Sequence, residues 1–361
     1  MNWVQAQDLE AIAIGSAVYG TGGGGDPYIG MLLAQQTMRQ HGPVRLIAVD
    51  EVGDDDLVIP VAMAGAPTVL LEKLADIEPL VAALRRLERE LGRPATAVMS
   101  AEVGGLNSTI PFSVASATGL PLVDADTMGR AFPEIQMTLA TLAGVAASPV
   151  AMADEKGNTL LISALSNAWT ERFVRSALTE MGAASSMALL AMNGAQLRRA
   201  TVRGSITQAW RCGQAWLDAR AANRDAVGEV RRVTGGFHIF TGKVVDVQRA
   251  LAGGFCRGQA VLAGLDAHDG QQAVLHFQNE FLLAESAGSD LCATPDLIVM
   301  LDLDTGEPIT AEQARYGLRV AVLGIPCVPA WRTAEALDLV GPQRFGYARP
   351  YVPLEQLIQD R

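Results

Sequence analysis

Apolar positions along the chain change their period several times, and each change marks an element. Between Asp8 and Tyr19, Leu9, Ile12, Ala13 and Ala17 fall at helical spacing, although AIAIGSAVYG at 11–20 also fits a buried strand. Asp26-Pro27 is a helix-start signature: the carboxylate can cap free N–H groups, and proline at the first helical position loses no hydrogen bond. A helix over about 27–40, stopped at Gly42-Pro43, follows from it. The β-rich runs VRLIAV (44–49) and DLVIPVAMAG (56–65) precede a helical stretch, ADIEPLVAALRRLERELG, that closes at Gly92. The pattern recurs with ATAVMS (95–100), a helix near 111–118, LPLV (120–123) and a helix from Pro133 to Leu142. Strands alternating with helices predict a layered α/β domain with a largely parallel or mixed sheet. VAMADEKGNTLLISAL reads as a hairpin about the turn DEKGN, and helices return at 168–181 and 204–222.

After Arg232 the texture changes. GGFHIFTGKVVDVQ, GQAVLAGLDA, QAVLHFQNEFLLAE, DLIVMLDLD and RVAVLGIP are short strand-like runs separated by Gly, Asp and Ser turns. They predict a second, β-barrel-like module. The expected division is an α/β domain over 1–231, completed by 331–361 with its helical TAEALDLV, and a β module over 232–330.

Composition narrows the function classes. With 361 residues, 49% hydrophobic and 19% charged, the chain can build a sizeable core. Twenty-eight Lys and Arg against 39 Asp and Glu give a net charge of −11, without any basic run, so no nucleic-acid partner is expected. The start, MNWVQAQDLE, has no basic segment leading into an apolar core, which points to the cytoplasm. The longest apolar stretch, 57–71, is interrupted by Pro and Gly and is too short to span a bilayer. Cys212, Cys256, Cys292 and Cys327 are far apart in sequence and read as free, buried thiols.

Candidate chemistry is carried by acids placed after predicted strands, where α/β sheets bind ligands. If the extended run persists beyond LPLV, Asp124 and Asp126 point to one face, with Arg130 and Glu134 close behind. Converged acids split their pKa values into a base and an acid, and Arg130 could steady developing charge. The alternative is that both aspartates cap turns and Arg130 neutralises them. Glu102 follows ATAVMS and precedes Gly104-Gly105 and Asn107, which suits either a second acid with an amide holding substrate, or a tight turn and helix cap. Glu72 and Lys73 read as an ion pair on a helix. Glu102, Asp124 and Asp126 would also suit a hard divalent ion such as Mg²⁺ or Mn²⁺, whereas the scattered His41, His238, His268 and His276 offer no zinc motif. In the β module, Asn279 and Glu280 lie within an apolar strand, facing either solvent or a cleft; Asp296, Arg344 and Tyr347 are weaker nominations.

The run GTGGGGDPY at 20–28 offers three readings. Gly22, Gly23, Gly24 and Gly25 can form a backbone bowl that admits a ligand to the helix N-terminus at Asp26, or they can simply make a tight connection. Gly20, Gly22 and Gly25 also satisfy G-x-G-x-x-G, a dinucleotide fingerprint only if residues 11–19 form a strand, so no nucleotide cofactor is favoured. Neither a G-x-S-x-G elbow nor a P-loop is present.

Gly22 to Asp26, GAPTVLLEK (65–73), AEVGGLNS (101–108), DADTMGRAFPE (124–134), QNE (278–280), TPDLI (294–298) and GPQRFGY (341–347) together resemble the S-methyl thiohydantoin desulfurase-like family over nearly the full length, in one order. The resemblance implies two modules, α/β and β-barrel-like, in a family whose members stand beside or fused to hydantoinase and oxoprolinase-type enzymes. The activity it implies is hydrolysis of an S-methylated thiohydantoin ring with release of methanethiol; it brings no catalytic residues with it. The expected function is therefore a hydrolase of a small cyclic amide or thiohydantoin, using water activated by a carboxylate at a site between the modules. The alternative is a non-catalytic small-molecule-binding or accessory partner of a hydantoinase-type enzyme. Expected partners are the substrate and either further copies of the chain or such an enzyme.

Overall fold

The computed structural model describes residues 2–65 and 76–360. Glu72 and Lys73 lie outside the described residues. A nine-stranded mixed sheet organises the first part of the chain. Its order is Trp3–Val4, Val44–Ile47, Leu122–Val123, Ala97–Ser100, Leu57–Gly65, Ala184–Ala188, Val150–Ala153 and Thr159–Ile162, with Met192–Asn193 also on Leu57–Gly65. The centre is parallel, because each crossover there is long enough to contain a helix. The outer pairs are antiparallel, including the expected hairpin of Val150–Ala153 with Thr159–Ile162.

The helices follow from their ends. Asp26 caps Pro27–His41 by accepting from the Tyr28 N–H (2.9 Å), and Asp76 caps Ile77–Leu91, which stops at left-handed Gly92. Residues 11–19 are helical within Leu9–Tyr19, so the strand needed for a dinucleotide fingerprint is not there. This helix packs against Ser205–Ala221 at glycine distance: a Cβ on Gly15 would stand 1.8 Å from Ala209 O, and one on Gly213 1.8 Å from Ala11 O. The helix expected from Pro133 to Leu142 is shorter. Only Leu139–Leu142 is helical, and residues 129–138 form a loop.

The second part is an eight-stranded antiparallel sheet, ordered Ser289–Ala293, Glu280–Ser286, Gln272–Gln278, Phe255–Gly264, Phe237–Ala252, Arg319–Ile325, Leu297–Asp302 and Pro308–Ile309. It curls around its own core but its ladder stays open, so no closed barrel forms among the described residues. Residues 331–360 touch both parts. Trp331 donates its indole N–H to Met128 O (2.7 Å), and Leu354 is buried in the core of the second sheet. No helix among the described residues is long and apolar enough to cross a membrane.

Candidate active site at the junction of the two sheets

The glycine run passes between the two modules at the site. Thr21 to Gly25 thread between the 104–105 turn and the second sheet: Thr21 O accepts from Phe281 N (2.7 Å), Gly22 O from Ala311 N (2.9 Å), and Gly24 O from Leu106 N (2.9 Å). A Cβ on Gly22, where φ is +87°, would strike the Phe281 ring at 2.5 Å. One on Gly23 would lie 2.2 Å from Glu280 Oε1. Gly22 and Gly23 therefore leave room for two side chains of the other sheet, and only Gly24 and Gly25 line a pocket. Asp26 serves as the helix cap and does not line it.

That pocket encloses about 840 Å³ of empty space, part of it open to solvent. Glu102 and Asn107 line it from the first sheet's side, Asn279 and Glu280 from the second, and Glu134 stands in the same wall. The remainder is largely apolar, with the thioethers of Met63, Met128 and Met187 beside Leu106, Phe132 and Leu189.

Glu102 is buried at the end of Ala97–Ser100. Asn107 donates from Nδ2 to its Oε1 (2.8 Å) and is itself fixed on the strand through Met63 N to Oδ1 (2.8 Å) and Nδ2 to Met63 O (3.2 Å). Asn107 thus positions Glu102. Burial raises the Glu102 carboxyl to about 7, with the charge of Asp126 adding to the rise and Asn107 opposing it. Glu280, opposite, is pushed well above the usual carboxylate range by burial and then by Glu102, while Arg130 pulls the other way. Its Oε2 is buried without a hydrogen-bond partner among the described residues. Two carboxyl groups of separate modules thus face one pocket and favour their protonated forms.

Asn279 takes φ +62° at the turn into the strand, and its Oδ1 accepts from Cys256 N (2.9 Å). Glu134 accepts from Gln136 Nε2 and from Arg344 Nη2 (3.2 Å), so it is paired with a cation. Tyr347 lies elsewhere, against His276.

Several expectations need correction. Asp124 and Asp126 do not converge. Leu122–Val123 belongs to the large sheet, whereas Ala125–Asp126 pairs with Val202–Arg203, and the chain turns between them. Asp124 faces the N-terminus of Ser205–Ala221 and accepts from Thr207 N (3.0 Å) and Thr207 Oγ1 (2.5 Å). Asp126 is buried behind Glu102, where its Oδ2 accepts from Val103, Met128 and Gly129 N–H groups. The oxygen-ligand triad of Glu102, Asp124 and Asp126 is consequently not assembled, and no group of three or more His, Cys, Asp or Glu among the described residues could hold a metal ion. Arg130 does not line the pocket. It is fully buried and bolts the modules together, donating to Ala131 O (3.0 Å), Pro295 O (2.9 Å), Asp296 O (2.9 Å) and Thr21 Oγ1 (2.9 Å). Burial lowers its guanidinium to about 10, and Glu280 is the first of the charges that resist the fall. Asp296 is likewise buried in a network away from the pocket.

Arg175 was not anticipated. It lines the pocket, donates from Nε to Glu171 Oε1 (2.5 Å) and from Nη2 to Pro133 O (2.7 Å), and lies 4.3 Å over the Phe255 ring. An Arg four residues after a Glu reads as an ordinary helix-surface pair, so only the tertiary placement discloses it.

Two family models together span most of the chain: the S-Me-THD-like N-terminal domain matches residues 7–164 and the S-Me-THD-like C-terminal domain residues 165–354. A crystal structure of a protein from Chromobacterium violaceum is similar at 27% identity and a TM-score of 0.82, covering 98% of this chain and 100% of that one. No curated protein matches. From end to end of its two modules, the chain belongs to the S-Me-THD-like family.

Proposed function

We propose that the protein hydrolyses S-methylated thiohydantoins to hydantoins and methanethiol, with Glu102 as the base that activates water and Glu280 as the acid. The observation that carries this reading is the pair itself: two buried carboxyls facing a single pocket from opposite modules, one raised to about 7 and the other pushed well above the usual carboxylate range by burial.

The reaction balances on these two groups. Glu102, ionised, removes one proton from water as its oxygen adds to the ring carbon that bears sulfur. Glu280 protonates the adjacent ring nitrogen, and the Arg130 charge behind it steadies the carboxylate left for that moment. As the tetrahedral adduct collapses, its hydroxyl proton returns to Glu280 and the carbon–sulfur bond breaks. The proton held by Glu102 passes to the departing methanethiolate. Both carboxyls end as they began, water supplies both protons, and no oxidant or reductant is needed. The thioether-rich wall of Met63, Met128 and Met187 supports a substrate with an apolar, polarisable methylsulfanyl group.

The test is incubation of purified protein with S-methyl thiohydantoins and with plain hydantoins, following methanethiol and ring opening. Methanethiol released by wild type and lost in Glu280→Gln and Glu102→Gln is the expected result. Ligand binding without any turnover would replace this reading with that of a binding or accessory protein.

A further inference from the structure

On the far side of the 126–129 loop lies a second cavity, lined by Val103, Gly129, Ser205, Gln208 and Thr234 among others, with about 500 Å³ of space partly open to solvent. Asp126 is tied to residues that line each of the two cavities. Of the residues whose N–H groups reach Asp126 Oδ2, Val103 (2.9 Å) and Gly129 (2.8 Å) line the rear cavity, while Met128 (2.9 Å) lines the front one. Glu102, immediately before Val103, also lines the front.

Asp126 is unevenly satisfied. Its Oδ2 accepts three hydrogen bonds, but its Oδ1 is buried with no partner among the described residues, and the same is true of Ser205 Oγ at the start of Ser205–Ala221. Both residues are almost wholly buried. Ser205 lines this cavity and Asp126 is held by two other residues that do, so their two orphaned oxygens call for a bridging molecule small enough to fit and able both to donate and to accept. The Ser205 hydroxyl is close enough to the Asp126 carboxyl to favour its charged form, although neither Ser205 Oγ nor Asp126 Oδ1 has a hydrogen bond of good geometry among the described residues.

We propose that the rear cavity holds water that donates to Asp126 Oδ1 and bridges it to Ser205 Oγ, and that Asp126, kept charged by this water, is a positioning residue that governs from behind how readily Glu102 gives up its proton. The water solvates a carboxylate that burial would otherwise neutralise, and that charge in turn disfavours a second charge on Glu102. The front pocket can then be closed by substrate while the charge that tunes its base stays hydrated from the other side. Only the role of Glu102 as base rests on the proposed hydrolysis; the water site and its effect on Glu102 do not.

The test has two parts. A high-resolution crystal structure of the wild type is expected to show ordered water within hydrogen-bond distance of both Asp126 Oδ1 and Ser205 Oγ; a dry cavity, or a Ser205 hydroxyl bonded directly to Oδ1, overturns the proposal. The Glu102 carboxyl band is then followed by infrared spectroscopy against pH, assigned by its loss in Glu102→Gln. In Asp126→Asn the Glu102 midpoint is expected to fall by about one pH unit, a tenfold change in its protonation ratio. Because Asp126→Asn also disturbs the loop, Ser205→Val supplies the second arm: it fills the water position, Asp126 becomes neutral more readily, and the Glu102 midpoint falls likewise, whereas Ser205→Ala leaves it close to wild type. An unmoved midpoint in both Asp126→Asn and Ser205→Val overturns the proposal. Methanethiol release with an unmoved midpoint removes this inference alone, and a shifted midpoint without methanethiol removes the hydrolytic reading alone.

Discussion

Two sets of buried carboxyls, one at Asp296 and the other at Glu102 and Glu280, are treated in opposite ways. Asp296 accepts from Cys327 N (2.8 Å), Leu354 N (2.9 Å), the Tyr351 hydroxyl (3.0 Å) and Arg332 Nη2 (3.2 Å), and Arg332 is shared with Glu355 (2.9 Å). Among the described residues Glu280, equally buried, leaves Oε2 without a donor, and Glu102 has a single side-chain donor in Asn107. Burial is common to both regions, so burial is not what distinguishes them. They differ in the donors that face them: four on Asp296, one of them cationic, against none on Glu280 Oε2 among the described residues. Where donors saturate the carboxyl, it ties the C-terminal segment to the second sheet; where they are withheld, burial raises the carboxyl and favours its protonated form.

The contrast can be broken most forcefully at Glu280. Glu280→Gln keeps the shape and removes a carboxyl that the fold does not compensate, so turnover of an S-methyl thiohydantoin is expected to fall by about 10²- to 10⁴-fold, the usual worth of a general acid, while the thermal midpoint holds or rises. A large stability loss in this variant would place Glu280 with Asp296. The reverse is expected at Asp296: Asp296→Ala leaves the buried N–H groups of Cys327 and Leu354 without their acceptor, while Arg332 keeps Glu355, and should cost about 3–5 kcal/mol in chemical denaturation.

The dependence of stability on pH sharpens the same point at Glu102. Its carboxyl is raised from 4.5 to about 7 on folding, so the folded state holds the proton more tightly than the unfolded chain. Stability contributed by the protonated form is complete below the unfolded value and is lost as pH rises through the folded one, roughly 3 kcal/mol in all. Denaturation midpoints of the wild type should therefore decline between pH 4.5 and about 7 more steeply than those of Glu102→Gln. Equal slopes would mean that Glu102 ionises normally. The smallest effect belongs to Asp26, whose carboxylate caps a helix: Asp26→Ala should cost only about 1 kcal/mol of stability and leave turnover unchanged within twofold.

Much of this arrangement was legible in the sequence, and the losses have identifiable causes. Glu102 after a strand and Glu280 inside an apolar strand stood out because charge in such places needs a reason. The four glycines announced a close approach, although not that Phe281 and Glu280 were the groups approaching. Asp124 was misjudged because alternation along a strand holds only while the strand continues, and here the chain leaves one sheet at Val123 and joins another pair at Ala125. The helix from Pro133 failed because the loop is held by contacts distant in sequence: Arg175 on Pro133 O and Glu171 on Ile135 N (3.0 Å). The open second ladder depends on edge strands that no local pattern specifies.

The most direct measurement of the central claim is carbon-13 NMR of the glutamate carboxyls across the neutral pH range, in wild type, Glu102→Gln and Glu280→Gln. Two resonances are expected to titrate far above the other glutamates, each vanishing in one variant, with the Glu280 midpoint falling once Glu102 is gone. If every glutamate completes its titration in the ordinary carboxylate range, the pocket holds two common anions and the acid–base account is contradicted.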